Sequence, residues 1–405
     1  MAEPRVVIVG AGQAGLAVSH ELSSIGVEHV LLERNRVAHT WRSRWDSFSL
    51  VTPNWTMKLP GLSYAGDEPE GFDRRDKIVG FLERYAASFN APVQEGVAVS
   101  SLELSPGGRF LLRTSAGDVQ AEKVVLATGA YQRPHRPAVA TAFPAELLVI
   151  DAEAYRNPGA LPPGRVLVVG SGQTGCQIAE ELNEAGREVF LACGRAPWMP
   201  RRLGGRDAVT LLNETTWFET PLSALPSPMA RLLANVQVSG RDGGHDLNFR
   251  VLSAMGVRLL GRLSAVEGKR ALFAPDLNES VAFGDARWAD LCKLLRDQLP
   301  ARGQSVPELP VPPVFREDPP LEVDLDGFGA VIFTAGFRPD YQRWVHVPAF
   351  DEMGFPLAPD GISSVVPGLF FIGVHFLRTR KSSLLFGVGE DAAIVAGAIS
   401  GQPSN

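Results

Sequence analysis

Two glycine loops of the form GxGxxG constrain this chain more than any other feature. The first is Gly10-Ala11-Gly12-Gln13-Ala14-Gly15, preceded by the apolar run Val6-Val7-Ile8-Val9 and followed by a helical pattern. The second is Gly170-Ser171-Gly172-Gln173-Thr174-Gly175, preceded by Val166-Leu167-Val168-Val169 and opening into another helix. A lone GxGxxG says little, but strand, glycine loop and helix in that order are the signature of dinucleotide binding. The first glycine permits a tight turn, the second lets the backbone approach a pyrophosphate, and the third lets helix and strand pack closely. The helix N-terminus then offers free N–H groups and a positive dipole end to the phosphates. Two such units predict two dinucleotides and an electron relay between them. The plain alternative is that each is only a packing unit.

The two loops differ at the end of the strand that follows. After the first, Val30-Leu31-Leu32 leads to Glu33, an acid about 20 residues on that suits a ribose hydroxyl pair, as in the adenosine half of FAD or NAD. After the second, Val189-Phe190-Leu191 leads to Ala192-Cys193-Gly194-Arg195 without an acid, and Arg201 and Arg202 follow closely. Arginines there suit a ribose 2′-phosphate, which an acid would repel. The first loop therefore reads as an FAD site and the second as an NADPH site. The arginines also have a bland reading, as a solvated basic cluster.

Length and residue usage narrow the class. A chain of 405 residues exceeds one typical domain. The net charge of −6 gives no reason to expect nucleic acid or an anionic membrane as a partner. Cys176, Cys193 and Cys292 are the only cysteines and form no CxxC pair, so a disulfide framework and a dithiol reductase are both disfavoured. The seven histidines are scattered without ligand spacing, so no metal site is expected. No stretch approaches the ~20 apolar residues needed to span a bilayer. The first strand starts at once and the glycine motif occupies the place a signal peptide's cleavage site would need, so the expected location is the cytoplasm.

The order of elements implies insertion. Helices are expected over 13–25, 77–89, 231–238, 288–299 and 389–399, with a hairpin turning at Pro106-Gly107-Gly108. Buried-type strands recur late in the chain, before Thr334-Ala335-Gly336 and before Gly373. The expected fold is α/β, with two dinucleotide-binding Rossmann-like domains, the NADPH domain inserted into the FAD domain. The FAD domain would comprise 1–158 and 325–405. The NADPH domain would comprise 159–324, with a helical insertion on the substrate side. Passages around 129–160 and 334–340 would form the hinge.

At this point the residues carry a family resemblance. The chain resembles the single-component flavin-containing monooxygenases, including YUCCA-type and Baeyer–Villiger relatives, and especially the bacterial CzcO-like branch. The resemblance rests on both loops and on Trp41-Arg42-Ser43-Arg44-Trp45 leading to Leu50-Val51-Thr52-Pro53. It rests also on Ala127-Thr128-Gly129-Ala130-Tyr131, Thr334-Ala335-Gly336-Phe337-Arg338-Pro339, Arg378-Thr379-Arg380-Lys381-Ser382 and Gly387-Val388-Gly389-Glu390-Asp391-Ala392. It implies FAD and NADPH as cofactors, with a small organic molecule and molecular oxygen as substrates. NADPH would reduce the flavin, and oxygen would add to it as a peroxide that transfers one oxygen atom. The protein would supply binding, orientation and water exclusion.

Cofactor contacts are expected from Gly10, Gly12, Gln13, Ala14, Gly15, Glu33, Arg34, Trp41, Arg42, Thr52, Val99, Thr128 and Gly129. Further contacts are expected from Gly170, Ser171, Gly172, Gln173, Thr174, Gly175, Arg195, Arg201, Arg202, Gly336, Gly373 and Leu385. Thr52 and Asn54 lie on a loop where the isoalloxazine ring would sit. His375 follows the last flavin strand, where many other two-dinucleotide flavoproteins have an acid. It reads either as a flavin or substrate neighbour or as a structural residue. Asp151 stands where many family members place a histidine linked to positioning the nicotinamide. Either it affects oxygen chemistry there, or it forms a linker ion pair with Arg156. The rival functions are a flavin oxidase or dehydrogenase without oxygen transfer, and a non-enzymatic flavin or nicotinamide sensor.

Overall fold

A computed structural model of the chain describes residues 5–129, 131–233 and 235–401; residues 1–4, 130, 234 and 402–405 lie outside it. Val6–Val9 is apolar throughout and buried throughout. A strand with that pattern needs cover on both faces, which a parallel sheet with flanking helices provides. Its neighbours are His29–Glu33 on one side and Lys123–Leu126 on the other, both parallel. Leu369–Phe371 and Val93–Glu95 complete five strands, with the N-terminal strand in the middle. The helix Gln13–Ser24 leaves the first glycine loop and packs against the last helix, Val388–Ser400. Two helices from opposite ends of the chain, Gln13–Ser24 and Val388–Ser400, thus close one unit, as insertion requires.

The second sheet repeats the plan. Its order is Leu148–Asp151, Phe328–Phe333, Arg165–Val169, Val189–Ala192, Arg258–Leu260, and every pairing is parallel. Leu148–Asp151 and Phe328–Phe333, which lie outside the expected bounds of 159–324, belong to the second sheet. The reason is packing. Phe328–Phe333 is buried at every position and lies directly beside the second glycine strand, a place that a linker cannot occupy. The chain enters and leaves through an antiparallel ribbon, Arg133–Pro134 against Phe337–Arg338. Gly129 and Gly336 flank it at φ +79° and +81°, a backbone region that glycine enters without a Cβ penalty.

Other expectations shift. The hairpin turning at Pro106–Gly108 forms between Val99–Leu104 and Phe110–Thr114. The helix expected at 288–299 begins earlier, as Leu277–Gln298, because Leu277, Val281, Gly284, Trp288, Leu291, Cys292 and Leu295 line up on its buried face. The helix expected at 231–238 is absent among the described residues. A short 3₁₀ turn, Pro228–Leu232, stands there instead. Beyond it Gln237 pairs with Trp198 in an extended bridge. No helix among the described residues is long and apolar enough to cross a membrane.

Candidate active site

The first glycine loop is built from three different needs. Gly10 has φ +107°, and a Cβ there would lie 2.7 Å from the Ala127 carbonyl oxygen. A Cβ on Gly15 would lie 1.9 Å from the Gly10 carbonyl oxygen. These two glycines serve the protein's own packing. Gly12 is different, because a Cβ there meets nothing within 4 Å. Its side faces a cradle beside the start of the helix Gln13–Ser24, whose first turn has no side-chain cap. Those N–H groups are the ones that a pyrophosphate takes. Glu33 is buried at the strand tip, with Oε2 accepting the Ala11 N–H and Oε1 the Asn35 N–H, both at 2.9 Å. The uncapped helix end, the open Gly12 side and the buried acid together fit the adenosine diphosphate half of FAD.

The second loop has the same skeleton and different chemistry. Gly170 sits at φ +108°, and a Cβ on Gly175 would lie 2.0 Å from the Gly170 carbonyl oxygen and 2.6 Å from Thr334 Oγ1. The helix Gln173–Glu184 again starts without a side-chain cap. No acid stands at the strand tip. Ser171 Oγ instead accepts the Gly194 N–H at 2.8 Å. Arg195 is exposed just beyond, 5.9 Å from the centroid of the Phe283 ring. Arg202 is also exposed and donates to the Gly243 carbonyl at 3.1 Å. A site with free N–H groups, no carboxylate and an exposed guanidinium fits a 2′-phosphorylated nicotinamide dinucleotide.

Between the loops, side chains from distant segments converge. Gln13 donates from Nε2 to the Ser383 carbonyl at 3.2 Å and accepts from Trp41 Nε1 at 2.9 Å. Ser383 Oγ lies 2.7 Å from His375 Nδ1. The His375 ring meets Tyr131 edge-on at 5.2 Å, and Tyr131 meets Phe337 at 5.1 Å. Arg44 lies over the Tyr131 and Phe48 rings at 5.3 and 5.8 Å, and its buried Nε has no hydrogen-bond partner. Burial, with a smaller push from Arg231, lowers the His375 pKa to about 4, so the imidazole is neutral at neutral pH. The cleft therefore offers aromatic walls, a neutral imidazole and a guanidinium whose charge faces Glu153 while its Nε stays unpaired. That set can receive a planar ring and stabilise negative charge on it.

Several expected residues are engaged elsewhere. Arg201 is 1 % exposed and bonded to Asp207 and to the Val51 carbonyl. It is closed off from any phosphate, because burial requires its charge to be matched within the protein. Arg42 is turned to Glu83 and the Val37 carbonyl. Asn54 is fully buried and staples its own loop, donating to the Glu68 carbonyl at 3.0 Å and accepting from the Asp73 N–H at 2.6 Å. Thr52 pairs with Thr56 at 2.7 Å. Asp151 forms a two-point ion pair at 2.7 and 3.1 Å, and its partner is Arg136, not Arg156. Arg156 spends its guanidinium on the carbonyls of Ser43, Glu153 and Tyr155. Gly373 packs on the first-loop helix, where a Cβ would lie 2.7 Å from the Ala14 Cβ. Leu385 is core, Val99 pairs with Thr114, Arg34 is exposed, and Thr128 Oγ1 accepts from Gln132 at 3.0 Å.

Arg44, Tyr131, Gln237 and Ser383 were not among the expected site residues. Tyr131 and Arg44 lie inside motifs that carried the resemblance, so position in those motifs was the available signal. Ala130, between Gly129 and Tyr131, lies outside the described residues. Gln237 had no signal, because the segment read as a helix.

Comparison with known proteins agrees with this geometry. A profile of the pyridine nucleotide-disulphide oxidoreductase family matches residues 7–206. A CzcO-like oxidoreductase from Geobacillus kaustophilus is 30 % identical over 390 residues, covering 96 % of this chain and 95 % of its own. The probable indole-3-pyruvate monooxygenase YUCCA4 of Arabidopsis thaliana is 31 % identical over 182 residues, covering 44 % of each chain. Among solved structures, a flavin-containing monooxygenase from Stenotrophomonas maltophilia superposes with TM-score 0.70 at 18 % identity, covering 99 % of both chains. OTEMO, in complex with FAD and NADP, superposes with TM-score 0.57 at 15 % identity, covering 98 % of this chain and 85 % of that one. These last two likenesses show the fold alone. The chain belongs to the CzcO-like oxidoreductases.

Proposed function

We propose that this enzyme binds FAD at the first loop and NADPH at the second, and transfers one oxygen atom of O₂ to a small organic molecule. The observation that carries the assignment is the asymmetry of the strand tips. A buried acid, Glu33, stands at one, and the acid-free Cys193-Gly194-Arg195 at the other. When bound and reduced, FAD supplies the activated oxygen that a protein side chain cannot. The chain's residues do the rest. The open face of Gly12 and the helix beginning at Gln13 hold the pyrophosphate, and Glu33 takes the ribose. Trp41, Gln13 and Ser383 form a bonded wall beside it. Tyr131, Phe337 and the neutral His375 form an aromatic wall of the cleft. Arg44 offers its unpaired Nε–H to the electron-rich ring or to an acidic substrate. Three buried, unpaired cysteines suit a reducing compartment, so we assign the enzyme to the cytoplasm.

The test is a product balance. Purified protein, loaded with FAD, is given NADPH and oxygen with candidate amines, thioethers and ketones. The expected result is NADPH oxidation matched by oxygenated product for one of these classes. Hydrogen peroxide equal to NADPH consumed, whatever the substrate, would instead make the enzyme an oxidase. Failure to retain FAD would remove the assignment of the first loop.

A further inference from the structure

Arg201 lies in the second unit and divides its guanidinium between an acid of that unit and a backbone carbonyl of the first. Its Nη2 donates to Asp207 at 2.5 Å and its Nη1 to the Val51 carbonyl at 2.7 Å. The guanidinium lies 4.6 Å from the centroid of Phe72, and its own backbone N–H is held by Asp246 at 2.6 Å. Asp207 is itself fixed, because it also caps the helix Ala208–Asn213 through the Val209 N–H. Val51 immediately precedes Thr52-Pro53-Asn54, a loop that Asn54 and the Thr52–Thr56 pair make internally rigid. Four further contacts hold this region against the second unit. Trp55 Nε1 donates to Thr210 at 3.1 Å, which in turn donates to Glu70 at 3.0 Å. A Cβ on Gly240 would lie 1.7 Å from the Leu50 carbonyl oxygen, and one on Gly244 would lie 2.4 Å from Phe72.

The same segment reaches back to the second glycine loop. Gln237 donates from its backbone to the Pro197 carbonyl at 2.8 Å and from Nε2 to the Ser171 carbonyl at 2.6 Å. A continuous chain of contacts thus runs from the second loop, through 197–201, to Val51. A buried ion pair is weak evidence for stability, but it is well suited to setting register.

We propose that Arg201 is a positioning residue that holds the Val51–Asn54 loop in register with the second glycine loop, and so aligns the two cofactors for electron transfer. This rests on the assignment of FAD to the first loop and NADPH to the second. Arg201→Lys keeps the charge opposite Asp207, but a single ammonium cannot keep the two-ended geometry. Gly240→Ala displaces the same loop from its other side without touching Arg201.

The experiment is stopped-flow reduction of bound FAD, by NADPH and separately by dithionite, in wild type and both variants. Melting temperature, FAD content and NADP⁺ affinity are measured alongside. The expected result is at least a tenfold slower reduction by NADPH in each variant. Dithionite reduction, FAD content and NADP⁺ affinity should stay within twofold of wild type. NADPH reduction within twofold of wild type in both variants overturns the proposal, whatever happens to the melting temperature. If Arg201→Lys does not fold, Arg201→Met combined with Asp207→Asn removes both charges together, and the same criterion applies. Wild-type protein that binds no FAD, or whose FAD is not reduced by NADPH, defeats the cofactor assignment instead.

Discussion

The two glycine units are nearly superposable in design and opposite in chemistry. Gly10 and Gly170 share a left-sided φ of +107° and +108°, and Gly15 and Gly175 press equally close to the preceding turn. Gln13 and Gln173 both reach across to a backbone carbonyl. The difference lies in how each loop is tied to the neighbouring strand tip. In the first, the strand supplies the tie, since Glu33 accepts the Ala11 N–H. In the second, the loop supplies it, since Ser171 accepts the Gly194 N–H. Moving the tie from strand to loop frees the strand tip from carrying an acid and leaves room for Arg195. One backbone frame thus carries two different ties, each made by a single polar group.

The comparison breaks hardest at the glycines. Gly15→Ala sets a methyl group against backbone, an overpacking that costs roughly 1–3 kcal/mol or more. It should lower the melting temperature by about 4–8 °C and take the flavin with it. Gly12→Ala should lose FAD, yet melt within about 2 °C of wild type when both are stripped of FAD, because its Cβ meets no protein atom within 4 Å. Differential scanning and the flavin absorbance of purified protein separate the two. Full FAD occupancy in Gly12→Ala would show that this face does not meet the pyrophosphate.

A smaller effect sharpens the difference at the strand tips. Arg195→Ala should weaken NADPH by about 1.5 kcal/mol, the lower end for a hydrogen bond to a charged group, or roughly tenfold. NADH binding should stay unchanged. Equal losses for both cofactors, measured by titration, would mean that the 2′-phosphate is not read there.

The smallest effect distinguishes the units by pH. His375, in the first unit, has its pKa lowered to about 4 by burial. Its neutral form favours the folded state above the ordinary value of about 6.5, and that contribution is lost as pH falls from there towards 4. His245, in the second unit, is raised, chiefly by its 2.6 Å bond to the buried Glu180. Its contribution is full below about 6.5 and disappears as pH climbs through the raised value. Melting curves should therefore show His375→Gln relieving the acid-side decline. His245→Gln should lower the melting temperature most in mild acid and least in alkali. Parallel shifts at every pH in both variants would contradict this pairing of histidines.

The sequence by itself determined both loops, Glu33, the helices that follow the loops and the inserted order of the two units. These are local matters. A GxGxxG turn needs its glycines wherever the chain goes, and an all-apolar strand demands a buried sheet. The tertiary structure alone decided which charges are spent internally. Arg201 and Arg195 are six residues apart and look alike in the sequence, yet Asp207 and the Val51 carbonyl bury one and leave the other exposed. Asn54 became a staple because Glu68 and Asp73 fold back onto it. Asp151 found Arg136 across the linker. The strands Leu148–Asp151 and Phe328–Phe333 joined the second sheet through pairings with each other, across most of the inserted unit. Burial and choice of partner depend on residues brought together by folding, and no local pattern encodes that proximity.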